Sequence, residues 1–196
     1  MARTGLADIR DELRGMTAAG TADWTQGTAL TYFSDDMLDD ILDRHAYVFT
    51  YEQMELEEPS RVGSSYEWTV YELPYQHIEA TTGGTAIFTI QDNVGTVVTN
   101  YTANYRTGYF TFDANTNGVP YFATGSYYDI NAAAAEIWML KADHVAASAF
   151  DFSTDNHTIN RSQIFKTYME RAAFYQAKAW DGSGYGSMIR EDTDVA

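Results

Sequence analysis

The feature that most constrains the fold is the hydrophobic period, which changes twice along the chain. Residues 4–16 and 34–44 place apolar side chains at helical spacing, and residues 129–180 do so again. Between these helical stretches, residues 47–127 alternate large apolar with polar residues, as half-buried strands do. We therefore predict an α+β fold in which a bundle of four helices carries an inserted antiparallel β-module.

These changes of period divide the chain into four parts. Residues 1–46 hold the first two predicted helices, residues 47–127 the β-module, and residues 128–180 the last two helices. Residues 181–196 are rich in glycine and serine and end in acids, a composition that predicts a flexible tail.

Capping and turn residues set the predicted ends of these elements. N-caps are expected at four positions: Thr4, Ser34, Asp129 and Asn160. Turns are expected at 82–84, 92–95 and 106–108, where glycine follows polar residues. We also expect a loop at 17–31 and a capped turn at 150–157, between the last two helices.

The acidic excess narrows the classes of partner. The 196 residues include 28 acidic and 12 basic ones, and the net charge is −16. Such a surface repels phosphates, which argues against tight nonspecific binding of DNA. Only Lys141, Lys166 and Lys178 are lysines. An acidic, lysine-poor chain suits a very salty cytoplasm, where screening cancels self-repulsion, so a halophilic host and an ordinary acidic protein both fit.

The sequence contains no motif that predicts catalysis or a cofactor. Its four histidines, His45, His77, His144 and His157, have no partner at metal-ligand spacing, and it has no cysteine. It lacks a nucleophile elbow, a P-loop and a dinucleotide fingerprint. No apolar run approaches the ~20 residues of a membrane span. We therefore predict a protein that is not an enzyme, holds no cofactor and has no membrane partner.

Five aspartates lie close together on the second predicted helix: Asp35, Asp36, Asp39, Asp40 and Asp43. Helical geometry places Asp35, Asp39 and Asp43 in one row and the other two in a second row. Carboxylates bind Mg²⁺ or Ca²⁺, but a helix offers such an ion no backbone carbonyls and little enclosure. The favoured interpretation is a solvated acidic face. A carboxylate hydrolase that uses this cluster is the enzymatic alternative.

The tyrosine-rich β-module raises the question of nucleic-acid binding, because aromatic side chains on strands can stack with bases. That mode also needs a basic groove, and residues 61–128 contain only Arg61 and Arg106 against five acids. The aromatic faces therefore favour a sheet core or a protein interface.

Two stretches of the chain resemble the head-to-tail connector, or adaptor, proteins of tailed viruses. The first is Ala7-Asp-Ile-Arg-Asp-Glu-Leu-Arg-Gly-Met-Thr followed, after a spacer, by Phe33-Ser-Asp-Asp-Met-Leu-Asp-Asp-Ile-Leu-Asp-Arg-His. The second comprises Tyr128-Asp-Ile-Asn-Ala-Ala-Ala-Ala-Glu-Ile-Trp, Phe150-Asp-Phe-Ser and Asn160-Arg-Ser-Gln-Ile. The resemblance covers about half of the chain. The β-module is a departure, because compact members of the family lack it.

The resemblance implies a four-helix connector-type bundle and a structural role in the virion. It implies a homo-oligomeric ring of about a dozen copies under the portal protein, extending the DNA channel and docking tail or neck proteins. DNA would pass through without specific binding, and the protein would reside at the head-tail junction after assembly in the host cytoplasm. Portal contacts are expected from the end of the last helix and the tail: Trp180, Tyr185, Met188, Ile189 and Arg190. The aspartates at positions 35, 36, 39, 40 and 43 would face the channel, where acidic walls repel DNA.

Two alternative functions remain at this point. The chain could be a carbohydrate- or receptor-binding accessory virion protein that uses the β-module; this predicts an isolated, stable module with aromatic residues on its open face. It could also be another neck or tail-completion component, which the sequence does not separate from an adaptor.

Overall fold

The computed structural model has an α+β fold with antiparallel sheets, as the sequence predicts. The structure describes residues 3–19, 25–26, 30–31, 33–62, 65–80, 87–147, 152–154, 157–159 and 161–179.

The helices begin and end close to their predicted limits. After a 3₁₀ turn (Thr4–Leu6), they are α1 (Ala7–Thr17), α2 (Asp35–Arg44), α3 (Ile130–Ala147) and α4 (Arg161–Gln176). The predicted N-caps at Ser34 and Asp129 are confirmed, because their side chains accept hydrogen bonds from backbone N–H groups two or three residues on. The N-cap prediction for Thr4 is wrong, because Thr4 begins the 3₁₀ turn and α1 starts only after Leu6. Asn160 lies outside the described residues.

In the part of the chain that the structure describes, the strands form two four-stranded sheets and three two-stranded pairs, all antiparallel. They are β1 (Thr25–Gln26), β2 (Leu30–Thr31), β3 (Ala46–Gln53), β4 (Glu55–Leu56), β5 (Ser60–Val62), β6 (Ser65–Glu67), β7 (Val70–Glu72), β8 (Thr89–Asp92), β9 (Val97–Val98), β10 (Tyr101–Asn104), β11 (Tyr109–Phe112), β12 (Tyr121–Tyr128), β13 (Phe152–Thr154) and β14 (His157–Ile159). The first sheet has the order β3-β12-β8-β9 and the second the order β10-β11-β7-β4.

Aromatic side chains pack these two sheets face to face. Tyr121 of β12 stacks on Phe112 of β11 with ring centroids 4.4 Å apart, and Phe88 stacks on Phe110 at 5.1 Å. Gly125 of β12 leaves room for two of the rings: a Cβ at this position would lie 2.8 Å from Phe88 and 3.1 Å from Phe49. The antiparallel β-module predicted from the sequence is therefore present as two packed layers.

Most buried apolar side chains of the described residues fall into two separate cores. One core joins α1, α2 and α3 and is completed by Phe33 and by Tyr128 at the end of β12. The other lies between the two sheets and draws all its buried members from residues 49–123. The two segments that connect the helical core to the β-module lie side by side: Ala46 pairs with Tyr128, and the Asp129 N–H donates to His45 O at 3.0 Å.

The expected four-helix bundle is not supported. The helical core is built from α1, α2 and α3 and from the end of a sheet strand, whereas α4 adds only the partly buried Tyr175 to it. In α4, among residues 163–179, Ala172 alone is fully buried. The helices therefore form a layer that packs against the β-module, with α4 along α3.

Three local predictions differ from the structure. Residues 66–73 alternate large apolar with polar side chains, a pattern that predicts one strand, but the segment is divided between β6 and β7. The carbonyls of Trp68 and Thr69 accept bonds from Thr116 N and Phe112 N instead. The predicted loop at 17–31 contains the β1–β2 pair, and the predicted turn at 150–157 contains β13 and the first residue of β14. The turns predicted at 92–95 and 106–108 are confirmed, and 82–84 lies outside the described residues.

Candidate interaction surfaces

The row of α2 formed by Asp35, Asp39 and Asp43 makes ion pairs with arginines. Arg10 Nη1 lies 2.7 Å from Asp39 Oδ1, and the Arg3 N–H donates to Asp39 Oδ2 at 2.7 Å. Both charged partners of this pair are buried, with Arg10 7% and Asp39 6% exposed. Asp35 accepts a bond from Arg14 Nη2 at 2.7 Å, and this bond holds the pKa of the Asp35 carboxyl below its usual range.

The second row of aspartates has a different environment. Asp36 and Asp40 are both exposed and lie off the row that meets Arg3, Arg10 and Arg14, although the charge of Asp40 acts on Arg44 of the same helix. Asp43, which belongs to the first row, is half exposed and pairs with Arg3. Because Asp39 is buried inside the subunit, the channel-facing hypothesis depends on the four remaining aspartates of the cluster and stays a prediction for them.

The predicted portal contacts all lie outside the described residues: Trp180, Tyr185, Met188, Ile189 and Arg190. Lys178 and Ala179 close the described part of the chain.

A buried polar network that the sequence analysis missed joins the helices to the β-module. Glu79 is 1% exposed, and its Oε2 accepts a 2.5 Å bond from the Tyr128 hydroxyl and lies 3.4 Å from Arg3 Nη1. Burial, together with the Glu79 carboxylate, raises the pKa of Tyr128 well above its usual value. The other carboxylate oxygen of Glu79 has no hydrogen-bond partner among the described residues. A lone glutamate in a strand-rich segment gives no sequence signal for such a role.

A cleft of about 310 Å³ lies where α1 meets the β10–β11 turn. Arg106 Nε and Nη2 lie 2.8 and 3.0 Å from the two carboxylate oxygens of Glu12, and His77 Nε2 lies 3.5 Å from the same carboxylate. Burial lowers the pKa of His77, although the carboxylate of Glu12 opposes this effect. Arg106 and Glu12 are paired with each other, so this bidentate ion pair links α1 to the β-module and does not form a reactive centre.

His77 should make the stability of the protein depend on pH. Folded His77 binds a proton less readily than unfolded His77, so the free energy of unfolding should fall as the pH drops below about 6.5. We expect His77→Asn to reduce this slope between about pH 6.5 and pH 5, above the range where carboxylates dominate. Asparagine tolerates the positive φ of 54° at this position. Urea unfolding of both proteins across this pH range measures the effect, and equal slopes would contradict it.

Aromatic residues of the β-module lie mainly in its core. Tyr71 is fully buried, and further tyrosines pack around that core: Tyr75, Tyr101, Tyr105, Tyr121 and Tyr127. An exception is Tyr51 of β3, which is 48% exposed and stacks on Phe122 with centroids 4.4 Å apart and nearly parallel rings. Its backbone has a φ of 55°, rare for an aromatic residue, and its N–H donates to Thr124 Oγ1 at 3.0 Å.

One side of α4 packs on α3, and the other sides are open. Trp138 of α3 contacts the ring of Tyr168 at 5.3 Å, and the guanidinium of Arg171 lies 4.7 Å above the indole. Three apolar residues of α4 stay substantially exposed: Ile164 (41%), Met169 (40%) and Phe174 (53%). This helix therefore offers apolar surface for contact with another protein.

Within the described residues, no three histidine, aspartate or glutamate side chains are placed to hold a metal ion. Among the helices that the structure describes, none is both long and apolar enough to cross a membrane. In comparisons with known proteins, no family model, no curated protein and no solved structure matched this chain. Function must therefore be inferred from the residues and surfaces of the chain itself.

Proposed function

We propose that this chain is a structural, non-enzymatic virion protein: the head-to-tail adaptor of a tailed virus, with the four helices in the connector role and the β-module inserted between the second and third. It would form a ring under the portal protein, extend the DNA channel and dock the tail or neck proteins. A halophilic host remains part of this proposal, since the acid-rich composition suits high salt.

The observation that carries the proposal is the way the β-module joins the helices. The chain leaves α2 and returns to α3 at adjacent points, with the His45 carbonyl bonded to the Asp129 N–H at 3.0 Å. Insertions are accommodated at such sites because the ends of the inserted segment lie close together. Without the β-module, the helices follow each other as α1, α2, α3 and α4, which is the order that the resemblance implies.

The charge distribution supports passage of DNA rather than binding. Asp36 and Asp40 are exposed on α2, and the whole chain carries a net charge of −16. A channel wall of this sign repels phosphates, so the DNA would move past it without being held.

The adaptor proposal predicts a complex with the portal protein of the same virus. In molar KCl, the full chain should add a second ring beneath the portal, visible by negative-stain electron microscopy. Deleting residues 181–196 should abolish that ring, because the predicted portal contacts lie there and at Trp180. If neither the full chain nor the deletion variant binds the portal protein, the adaptor proposal fails. If only the deletion variant joins it, the assignment of the contact to the tail fails.

A second function, carbohydrate or receptor binding, has one observation in its favour. The exposed Tyr51 stacks parallel to the half-buried Phe122 and presents a flat aromatic surface, with Tyr51 held in a backbone conformation that costs free energy. Most other aromatic residues of the module are in its core, and the exposed Tyr66 and Tyr109 are further aromatic residues open to such a contact. A glycan and virion-protein screen of the full chain becomes the next experiment if the portal complex is not seen.

A further inference from the structure

The helix α4 and its C-terminal end form the basic part of an acidic chain. Residues 161–179 contain four basic residues and one acidic residue, a net charge of +3, whereas the whole chain is at −16. Lys166 is 77% exposed, and Lys178 Nζ lies 4.0 Å from the centre of the Phe174 ring. Positive charge therefore stands beside the exposed apolar residues of α4.

The second sheet, β10-β11-β7-β4, has an open outer face with the opposite charge. Its inner face carries Tyr71 and Phe110 into the core of the β-module, so Glu72 and Tyr109 point outward. Residues 52–72 contain six glutamates and one arginine, a net charge of −5. We call this surface, centred on Glu55, Glu72 and Tyr109, the outer sheet face.

Two carboxylates oppose each other directly on the outer sheet face. Glu55 of β4 is the cross-strand partner of Glu72 of β7, and Glu72 is in turn the partner of Tyr109 on β11. Like charges in opposed positions destabilise a sheet, and a cationic partner removes that cost. The Tyr109 hydroxyl bonds to Glu72, and this bond raises the pKa of Tyr109. Tyr109 (38%) adds exposed apolar surface to this face, and Tyr66 (57%) lies in the adjoining β5–β6 pair. Leu56 (39%) pairs with Tyr71 and therefore lies on the inner side of the sheet.

We propose that α4 of one copy of this chain docks on the outer sheet face of a second copy. This inference deepens the proposed adaptor function, on which it rests, by naming the two faces that join ring neighbours. A ring needs a heterologous interface between two different, complementary faces of each subunit. Elsewhere the copies repel each other through their shared negative charge, so the basic helix determines which contact is favourable.

Packing within the subunit leaves α4 available for this contact. Its Tyr168 and Ala172 face the subunit's own α3, whereas Lys166 and Phe174 lie on other sides of the helix. The contact would cover apolar residues on both partners, and charge pairing would set its register.

A charge exchange between the two surfaces tests the contact. The helix variant carries Lys166→Glu and Lys178→Glu, and the sheet variant carries Glu55→Lys and Glu72→Lys. Opposed lysines on the sheet repeat the like-charge repulsion of the natural protein, and the Tyr109 hydroxyl loses its bond to Glu72. Asp11→Lys with Asp143→Lys gives the net charge of the sheet variant at exposed positions of α1 and α3, outside both surfaces. Circular dichroism verifies that all three variants fold.

Self-association of the full chain is measured by sedimentation velocity at low ionic strength, where charge effects reach furthest. The helix variant alone and the sheet variant alone should each associate with a dissociation constant at least roughly tenfold weaker than the natural chain. An equal mixture of the two should recover association, because each contact then joins opposite charges again. The Asp11 and Asp143 control should associate like the natural chain.

Three results would overturn the inference. These are a natural chain that stays monomeric at every concentration, variants that associate as well as the natural chain, and a mixture that recovers nothing. The portal experiment is independent of this one. If the charge variants still form a ring on the portal, the contact between α4 and the outer sheet face is refuted and the adaptor function is retained. If the mixture of variants recovers association but the chain does not bind the portal, the contact is supported and the adaptor function is refuted.

Discussion

Gly108→Ala should destabilise the β-module by at least about 3 kcal/mol, far more than an ordinary glycine substitution. A Cβ at this position would lie 2.4 Å from the Tyr75 carbonyl oxygen and 2.8 Å from the Leu73 carbonyl oxygen. Both contacts are with backbone atoms, which cannot rotate away as a side chain would. The Gly108 carbonyl also accepts a 2.9 Å bond from the Leu73 N–H, so moving the turn would break the link between the two segments.

Gly95 provides the matched control for this substitution. Its φ of 86° is close to the 81° of Gly108, but a Cβ there would have nothing within 4 Å. Gly95→Ala should therefore cost only the backbone penalty of a left-handed alanine, about 1 kcal/mol. Urea unfolding of both variants separates the steric cost from the conformational one. Equal losses of stability would show that the turn adjusts to admit the methyl group.

The sequence predicts local structure well where the signal is itself local. Ser34 and Asp129 cap their helices as predicted, because an N-cap bond spans only two or three residues. The glycine turns at 92–95 and 106–108 follow for the same reason. Thr4 shows the limit of that approach, since a suitable residue near a helix start can belong to a preceding 3₁₀ turn instead.

Partnerships between distant elements were harder to predict. The acidic cluster was interpreted as a solvated face, yet Asp39 is buried against Arg10, which lies 29 positions away in the sequence. A signal for this pairing was present: Arg3, Arg10 and Arg14 recur at intervals of seven and four residues, which places them on one side of a helical segment, as for the aspartates of α2. The sequence does not state that these two rows face each other, because that depends on how α1 and α2 pack.

The β-module shows a second limit. Alternation predicts that one face of each strand is buried, but it cannot show which tyrosines lie between two sheets and which lie outside. Tyr71 and Tyr121 meet across the core at 5.1 Å, whereas Tyr109, one strand away from Tyr71, belongs to the outer sheet face. The outer sheet face could therefore be located only from the strand register.

Asp39→Ala should cost about 3–5 kcal/mol of stability, because it leaves the buried guanidinium of Arg10 with no carboxylate closer than that of the half-exposed Asp35, 4.0 Å from Nε. The Arg3 N–H would lose its 2.7 Å bond to the same side chain. Asp40→Ala is the control on the next position of the same helix. Its side chain is exposed, so its removal should change stability by no more than about 0.5 kcal/mol. Both changes replace aspartate with alanine in α2, so the gain in helix propensity is shared.

The effect of salt on stability should also distinguish the buried carboxylate of Asp39 from the exposed carboxylate of Asp40. A buried ion pair is poorly screened, so the loss caused by Asp39→Ala should persist in molar KCl, whereas any effect of Asp40→Ala should vanish there. Chemical denaturation of both variants at low and molar salt measures this difference. Similar losses for the two variants would mean that Asp39 contributes as a surface charge. A large, salt-resistant loss at Asp39 alone would assign this carboxylate to the internal support of α1 and α2, leaving the exposed aspartates of α2 as the ones available to a channel.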